Sequence, residues 1–209
     1  MEEIDVTLTD YALGLESLWF AFLISRKRAT SETPGLKILF VGFALAALAG
    51  GTFHGFFNNP AQPGHDFLWW LTLSFTGVTA AGFALTGVTL LTGSPSLPAR
   101  RLLLSLFLVY LVLTLRYREF FIAILFYLPA LLSCVAGLTF RYIRRPNPQI
   151  LLGILGLVAS LPATLLQQLQ IALHPVYFTH NALYHLILMG ALYLFYRGIS
   201  SSGVSDVSR

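Results

Sequence analysis

Seven apolar stretches, at about 11–26, 35–57, 67–92, 98–115, 119–142, 149–173 and 180–197, take up almost the whole chain. Each is close to the roughly 20 residues that a helix needs to cross a bilayer core. The breaks between them are short and carry Pro, Asn and Arg: Arg26-Lys27-Arg28 and Pro34, Asn58-Asn59-Pro60, Pro95, Arg116-Tyr117-Arg118, Pro146 and Pro175. Backbone that leaves a helix must meet water or protein, so such residues belong where a span ends. Hydrophobic residues make up 56% and charged residues 11% of 209, far from the roughly 25% charged residues of soluble domains. The expectation is an all-α membrane protein: one seven-transmembrane-helix bundle over 1–209, with short polar tails at about 1–10 and 198–209.

Basic residues set the expected orientation. With the first helix running inward, the inner side holds Arg26, Lys27, Arg28, Lys37, Arg100, Arg101, Arg141, Arg144, Arg145, Arg197 and Arg209, or 11 of the 13 Lys and Arg. Arg116 and Arg118 remain outside. This positive-inside bias predicts an outside N-terminus, an inside C-terminus and a multi-pass protein of a plasma or inner membrane. The net charge of +4 then reports topology, and no basic stripe with interleaved aromatics points to nucleic acid. Glu2, Glu3, Asp5 and Asp10 replace the basic start of a cleaved signal peptide, so the first helix reads as a retained anchor. Cys134, the single cysteine, excludes an internal disulfide and reads as a small buried residue.

All five histidines, His54, His65, His174, His180 and His185, fall at the outer ends of these spans. Imidazole is costly in lipid and marks metal, haem or proton sites. His54 and His185 lie inside apolar runs and are the strongest pair; His174, before Pro175, reads as interfacial. His180 and His185 are five apart, about 140° around a helix, whereas Asn181 and His185 share a face. Thr179 is placed to cap the last helix and leave His180 in a first turn able to swing inward.

A catalytic zinc needs three protein ligands, an open position for water and a nearby carboxylate. His54, His180 and His185 are the candidate ligands, and Asp66, at the start of the third helix, is the candidate base. Asp66 reads equally well as a first-turn acid favoured by the helix dipole. Glu16 falls inside the first span at about the depth of His54 and His185, where a carboxylate must be paired, protonated or functional. Gln167, Gln168 and Gln170 follow Pro162 in the sixth span, with Gln170 four residues from His174 on the same face. Trp69 and Trp70 fit an outer aromatic belt or the wall of a lipid portal.

Seven helices, a histidine ending helix 2, an acid a dozen residues later and a polar pair opening helix 7 resemble the CREST superfamily of membrane hydrolases. That group includes the alkaline ceramidases and the progestin and adipoQ receptors. The resemblance implies zinc held by histidines of helices 2 and 7, an aspartate and a serine beside the metal-bound water, and hydrolysis of lipid amides. By position it implies His54 and His185 as ligands and Asp66, or its neighbour His65, as the acid. Two positions depart from the pattern. Gly50 stands where the family has its serine, with Thr52 the nearest hydroxyl, and Asn181 stands for the first histidine of helix 7, so that either His180 or His65 supplies the missing nitrogen or the metal has been lost.

The expected function is a zinc-dependent hydrolase of a membrane lipid amide or ester, with Glu16, Thr52, Gln170 and Asn181 filling out the substrate pocket. Two alternatives stand beside it: His54 and His185 ligating a b-type haem from both sides, or a metal-free sensor or receptor that keeps the fold. A retinal protein is excluded in its usual form, because Lys27 and Lys37 are the only lysines and neither is in the last helix. No Lys or Arg run within a helix fits voltage sensing, no Gly-rich loop fits a nucleotide, and no internal repeat of helix groups is evident.

Overall fold

A computed structural model describes residues 3–202 and shows seven helices. Glu2 and Arg209, counted above in the charge pattern, lie outside the described residues. The helices are α1 (Ile4–Arg26), α2 (Thr33–Thr52), α3 (His65–Thr92), α4 (Leu97–Tyr117), α5 (Phe120–Arg144), α6 (Pro148–Gln168) and α7 (His180–Ser202). One π-helical turn, Phe53–Phe57, continues α2. Prolines open α2, α4 and α6, where a missing N–H costs nothing. Ser96 and Asn147 cap α4 and α6 by accepting from the N–H groups of Ala99 and Gln149.

Six of these helices, α2 to α7, are long and apolar enough to cross a membrane. The other, α1, has 23 residues, a rise of about 34 Å at 1.5 Å per residue. Asp5, Asp10 and Glu16 lower its apolar character. Short connections make the bundle run up and down. Asp5 of α1 meets Thr179 at the start of α7, Lys27 meets Ser200 at its end, and Glu32 before α2 pairs with Arg141 at the end of α5. The core centres on Leu39, Phe40, Phe83, Leu131, Cys134 and Phe195. Cys134 is fully buried there. α4 lies at the edge against α3 and α5, and most of its Leu and Val side chains face outward.

Two boundaries differ from expectation, each for a local reason. The segment expected to be a polar tail is helical from Ile4, because its acids have protein partners: Asp5 Oδ2 accepts from the N–H (2.8 Å) and hydroxyl (2.7 Å) of Thr179. The sixth span stops at Gln168 rather than near 173, and Gln170 takes a left-handed φ of 54°. The chain then folds back through paired backbone hydrogen bonds between His174 and Phe178. Gln170 is exposed and shares no helix face with His174.

The Glu32–Arg141 pair ties α2 to α5 at the basic end. Burial disfavours the charged carboxyl of Glu32, but the Arg141 guanidinium and the Thr30 hydroxyl outweigh it and hold its pKa below the ordinary value. Its contribution is therefore complete above about pH 4.3, the unfolded glutamate value, and is lost as pH falls through the lower folded value. Glu32→Gln should cost about 1–2 kcal/mol at neutral pH, since Arg141 remains partly solvated. Thermal unfolding in detergent should show that difference at pH 7 and a smaller one at pH 3.

Candidate functional site

A cavity of about 490 Å³ opens among α1, α2, α3, α5, α6 and α7. Its polar groups gather at the end where α1 and α7 begin. Asp10, Gly50, His54, Gln167, Asn181 and His185 line that end, while Phe43, Ile124, Leu128, Leu161 and Leu188 line the deeper part. Hydroxyls line the cavity as well, those of Tyr127 and Tyr184 among them, but the Thr and Ser hydroxyls are satisfied by their own backbones. Thr76 and Thr79 donate to Thr72 O and Phe75 O, and Ser160 and Thr164 donate to Leu157 O and Ser160 O, each within its own helix.

α1 and the residue that precedes it, Glu3, supply the partners of both cavity histidines. His185 Nε2 lies 3.2 Å from Asp10 Oδ1, and its Nδ1 lies 3.1 Å from Thr9 Oγ1. The side chains of Asp10 and His185 are 7% and 11% exposed, so the pair is nearly out of solvent. Thr9 also lies within hydrogen-bond reach of Asp5 O (2.8 Å) and Val6 O (3.0 Å), which anchors the chain of contacts to the helix backbone. His54, on the π-helical turn, places Nδ1 2.5 Å from Glu3 Oε2. That contact, with the histidine's charge, outweighs burial and holds the Glu3 carboxyl below its usual pKa. π turns recur at functional sites because the extra residue re-aims side chains. Gly50 leaves room beside Asp10: a Cβ there would lie 3.2 Å from Asp10 Oδ2.

Of the residues singled out in the sequence, the structure brings Gly50, His54, Trp69, Gln167, Gln168, Asn181 and His185 to one cavity. Asn181 Oδ1 accepts from Gln167 Nε2 at 3.2 Å, closing the polar rim between α6 and α7. The others lie elsewhere. Asp66 pairs with Arg118 and its side chain is 69% exposed. His65 Nδ1 bonds Phe57 O at 2.7 Å and its ring packs on Phe53. His180 and Glu16 do not line the cavity, and Glu16 keeps a buried Oε2 without a partner. Thr52 donates to Leu48 O and meets the Tyr11 hydroxyl, and Gln170 stands in the exposed loop. Thr179, expected to cap α7, instead donates to Asp5. Trp69 lines the cavity, donates to Arg118 O and packs between Phe53 and Phe120.

Asp10, Thr9 and Glu3 are not among the site residues read from the sequence, because the segment at about 1–10 reads there as a polar tail. A signal was present. On a helix from Ile4, Val6, Asp10, Leu13, Ser17, Phe20 and Ile24 form one buried stripe, so Asp10 is a carboxyl on a core-facing side.

These positions decide how well the expected groups fit. Two ligands of one tetrahedral zinc stand about 3.3 Å apart, and Asp10 Oδ1 and His185 Nε2 meet that condition at 3.2 Å. A third donor is not in place. His180 is outside the cavity, and among the described residues no group of three or more His, Cys, Asp or Glu is close enough to hold a metal ion. The His54–His180–His185 zinc site does not fit. A haem held by His185 fits no better, since both its ring nitrogens are engaged by α1.

No curated protein and no solved structure matches the chain. One sequence family does, over residues 6–203, which takes in every helix that shapes the cavity. The chain therefore belongs to DUF6962, a family of unknown function.

Proposed function

We propose that this protein binds a single-chain lipid amphiphile, head first toward α1 and α7, in a bundle that spans the membrane seven times with its N-terminus outside. The observation that carries the reading is the division of the cavity: a hydrogen-bonding end built from Asp10, His54, Gln167, Asn181 and His185, and a mainly apolar remainder in which Phe43, Ile124, Leu128, Leu161 and Leu188 stand beside Tyr127 and backbone-satisfied Thr and Ser hydroxyls. Its volume of about 490 Å³ falls within the roughly 300–1,000 Å³ of small-molecule sites. An amide, ester or hydroxyl head finds both donors and acceptors there, and an acyl chain finds apolar walls.

Access is lateral in this reading. Leu128 of α5 and Leu165 of α6 line the cavity and are also 38% and 58% exposed on the bundle's outer face. Pro129 and Pro162 sit beside them, in the two helices that flank the opening. A proline removes one intrahelical hydrogen bond, which lets these walls part locally. α1 counts as the seventh span because two of its three acids have protein partners, Asp5 on Thr179 and Asp10 on His185. The basic residues at the opposite end favour the inside placement of Arg26 to Arg28 and Arg141 to Arg145.

Hydrolysis of the bound lipid is a second reading, favoured by the Asp10–His185 contact at the head-group end. A carboxyl–imidazole pair is the element that general acid–base chemistry uses. Under this reading the resemblance to the CREST superfamily would rest on His54 and His185, which line the same cavity, without its zinc.

Lipid analysis of protein purified in mild detergent tests both readings. The parent should retain about one acyl amphiphile per chain. Ala46→Phe, which fills the cavity from α2, should retain less than a tenth as much while unfolding at a similar temperature. Equal retention would sink the binding reading. Release of free fatty acid from a lipid amide or ester, abolished by His185→Gln, would favour hydrolysis. One zinc per chain would overturn the metal-free assignment.

A further inference from the structure

At the opposite end of the bundle lies a second cavity, of about 260 Å³, between the ends of α1, α5 and α7 and the start of α2. Its floor is apolar, with Ile24, Leu36, Leu90, Leu138 and Ile199. Four charged side chains line it: Lys27, Arg28, Arg141 and Glu32. Glu32 and Arg141 neutralise each other. Lys27 and Arg28 are left over, both exposed at the mouth. Lys27 is held there by Ser200 O at 3.4 Å and by the face of Tyr196, neither of which cancels its charge. Arg28 has no partner among the described residues. Beside them the Ser200 Oγ is buried without a hydrogen-bond partner, an arrangement that is costly unless a ligand or water satisfies it.

We propose that this cavity binds a phosphate-bearing head group. Lys27 and Arg28 provide the charge, the Ser200 hydroxyl provides a buried donor to one phosphate oxygen, and the apolar floor takes the first carbons of an attached chain. Guanidinium and ammonium groups both match phosphate oxygens, and basic pockets between spans at a cytoplasmic face recognise anionic lipid heads. Glu32 does not repel the anion, because Arg141 holds its charge. The floor favours a lipid phosphate over a free one, since inorganic phosphate gains nothing from Leu36 or Ile199. This site is separate from the amphiphile cavity and does not depend on its reading.

Calorimetric titration of the detergent-purified full chain tests the proposal with three probes: dioctanoyl phosphatidic acid, dioctanoyl phosphatidylcholine and inorganic phosphate. The phosphatidic acid should bind saturably with one site per chain, at least tenfold tighter than either other probe. Lys27→Gln with Arg28→Gln should weaken it at least tenfold, and Ser200→Ala about threefold. Arg100→Gln with Arg101→Gln removes an equally basic, exposed pair at the start of α4 and should leave it unchanged. Inorganic phosphate binding as tightly as the lipid, with the same dependence on Lys27 and Arg28, would keep the phosphate site and place its ligand in the aqueous phase. Absence of saturable binding, or equal weakening by the α4 pair, would overturn the proposal.

Discussion

Replacing Gly82 by leucine should abolish the folded protein, and replacing it by alanine should already cost about 3 kcal/mol or more, at the upper end of overpacking penalties. A Cβ at Gly82 would lie 2.4 Å from Leu39 N and 2.5 Å from Leu39 Cα. Those are backbone atoms of α2, so no rotamer change relieves the clash; the two helices must separate. Gly42, on the facing helix, is equally close to α3, with its Cβ position 2.6 Å from Thr79 N. The α2–α3 seam is thus built on backbone approach from both sides, the way membrane helices associate when lipid removes the hydrophobic drive between them. Separating them would also displace Phe43 and Thr79, which line the amphiphile cavity from either side of that seam. Gly190 is the control. Nothing lies within 4 Å of its Cβ position, and alanine there should be neutral or stabilising by up to about 1 kcal/mol through helix propensity. Thermal midpoints in one detergent compare the three variants; equal midpoints for Gly82→Ala and Gly190→Ala would refute the seam.

The spans were legible because lipid leaves so few solutions: long apolar runs with short polar breaks must be helices. Six of the seven stretches correspond to helices apolar enough to cross on composition alone. The start of α1 is hidden by its own charged residues. Asp5 and Asp10 look like a solvated tail until Thr179 and His185, more than 170 residues away, are placed beside them. The same distance explains the uneven site. His54, Asn181 and His185 stand out because polar rings and amides are rare in apolar runs, and all three face the cavity. Spacing alone gave Asp66 a place near them, but Arg118 in the α4–α5 connection holds it outside. Gln170 failed on a helix end, a matter of one left-handed residue. Periodicity assigns a residue to a face; it does not say which other helix that face meets.

Asp10→Ala and His185→Leu should each reduce retained amphiphile at least tenfold, and together should do little more than either alone. The reason is that the two side chains form one unit. With Asp10 gone, His185 loses the partner on Nε2 and keeps only Thr9; with His185 gone, Asp10 Oδ1 is left in a nearly dry pocket without its imidazole. Removing one member of a buried ionisable pair costs about 3–5 kcal/mol in soluble proteins, but hydrogen bonds between membrane helices average about 0.6 kcal/mol and reach about 1.7. The second scale governs here, because in the loosened state each group finds another partner or water in the cavity. A double-mutant cycle on unfolding should therefore return a coupling of about 0.6–1.7 kcal/mol. Asp10→Asn separates positioning from ligand recognition. It keeps the size and one oxygen of the carboxyl, so stability should stay within about 0.5 kcal/mol of the parent. Retention that falls tenfold in this variant at unchanged stability makes Asp10 a group that touches the ligand. Retention that follows stability through all five proteins would confine Asp10 to holding α1 against α7, and the ligand's head would then be recognised by His54, Asn181 and Gln167 alone.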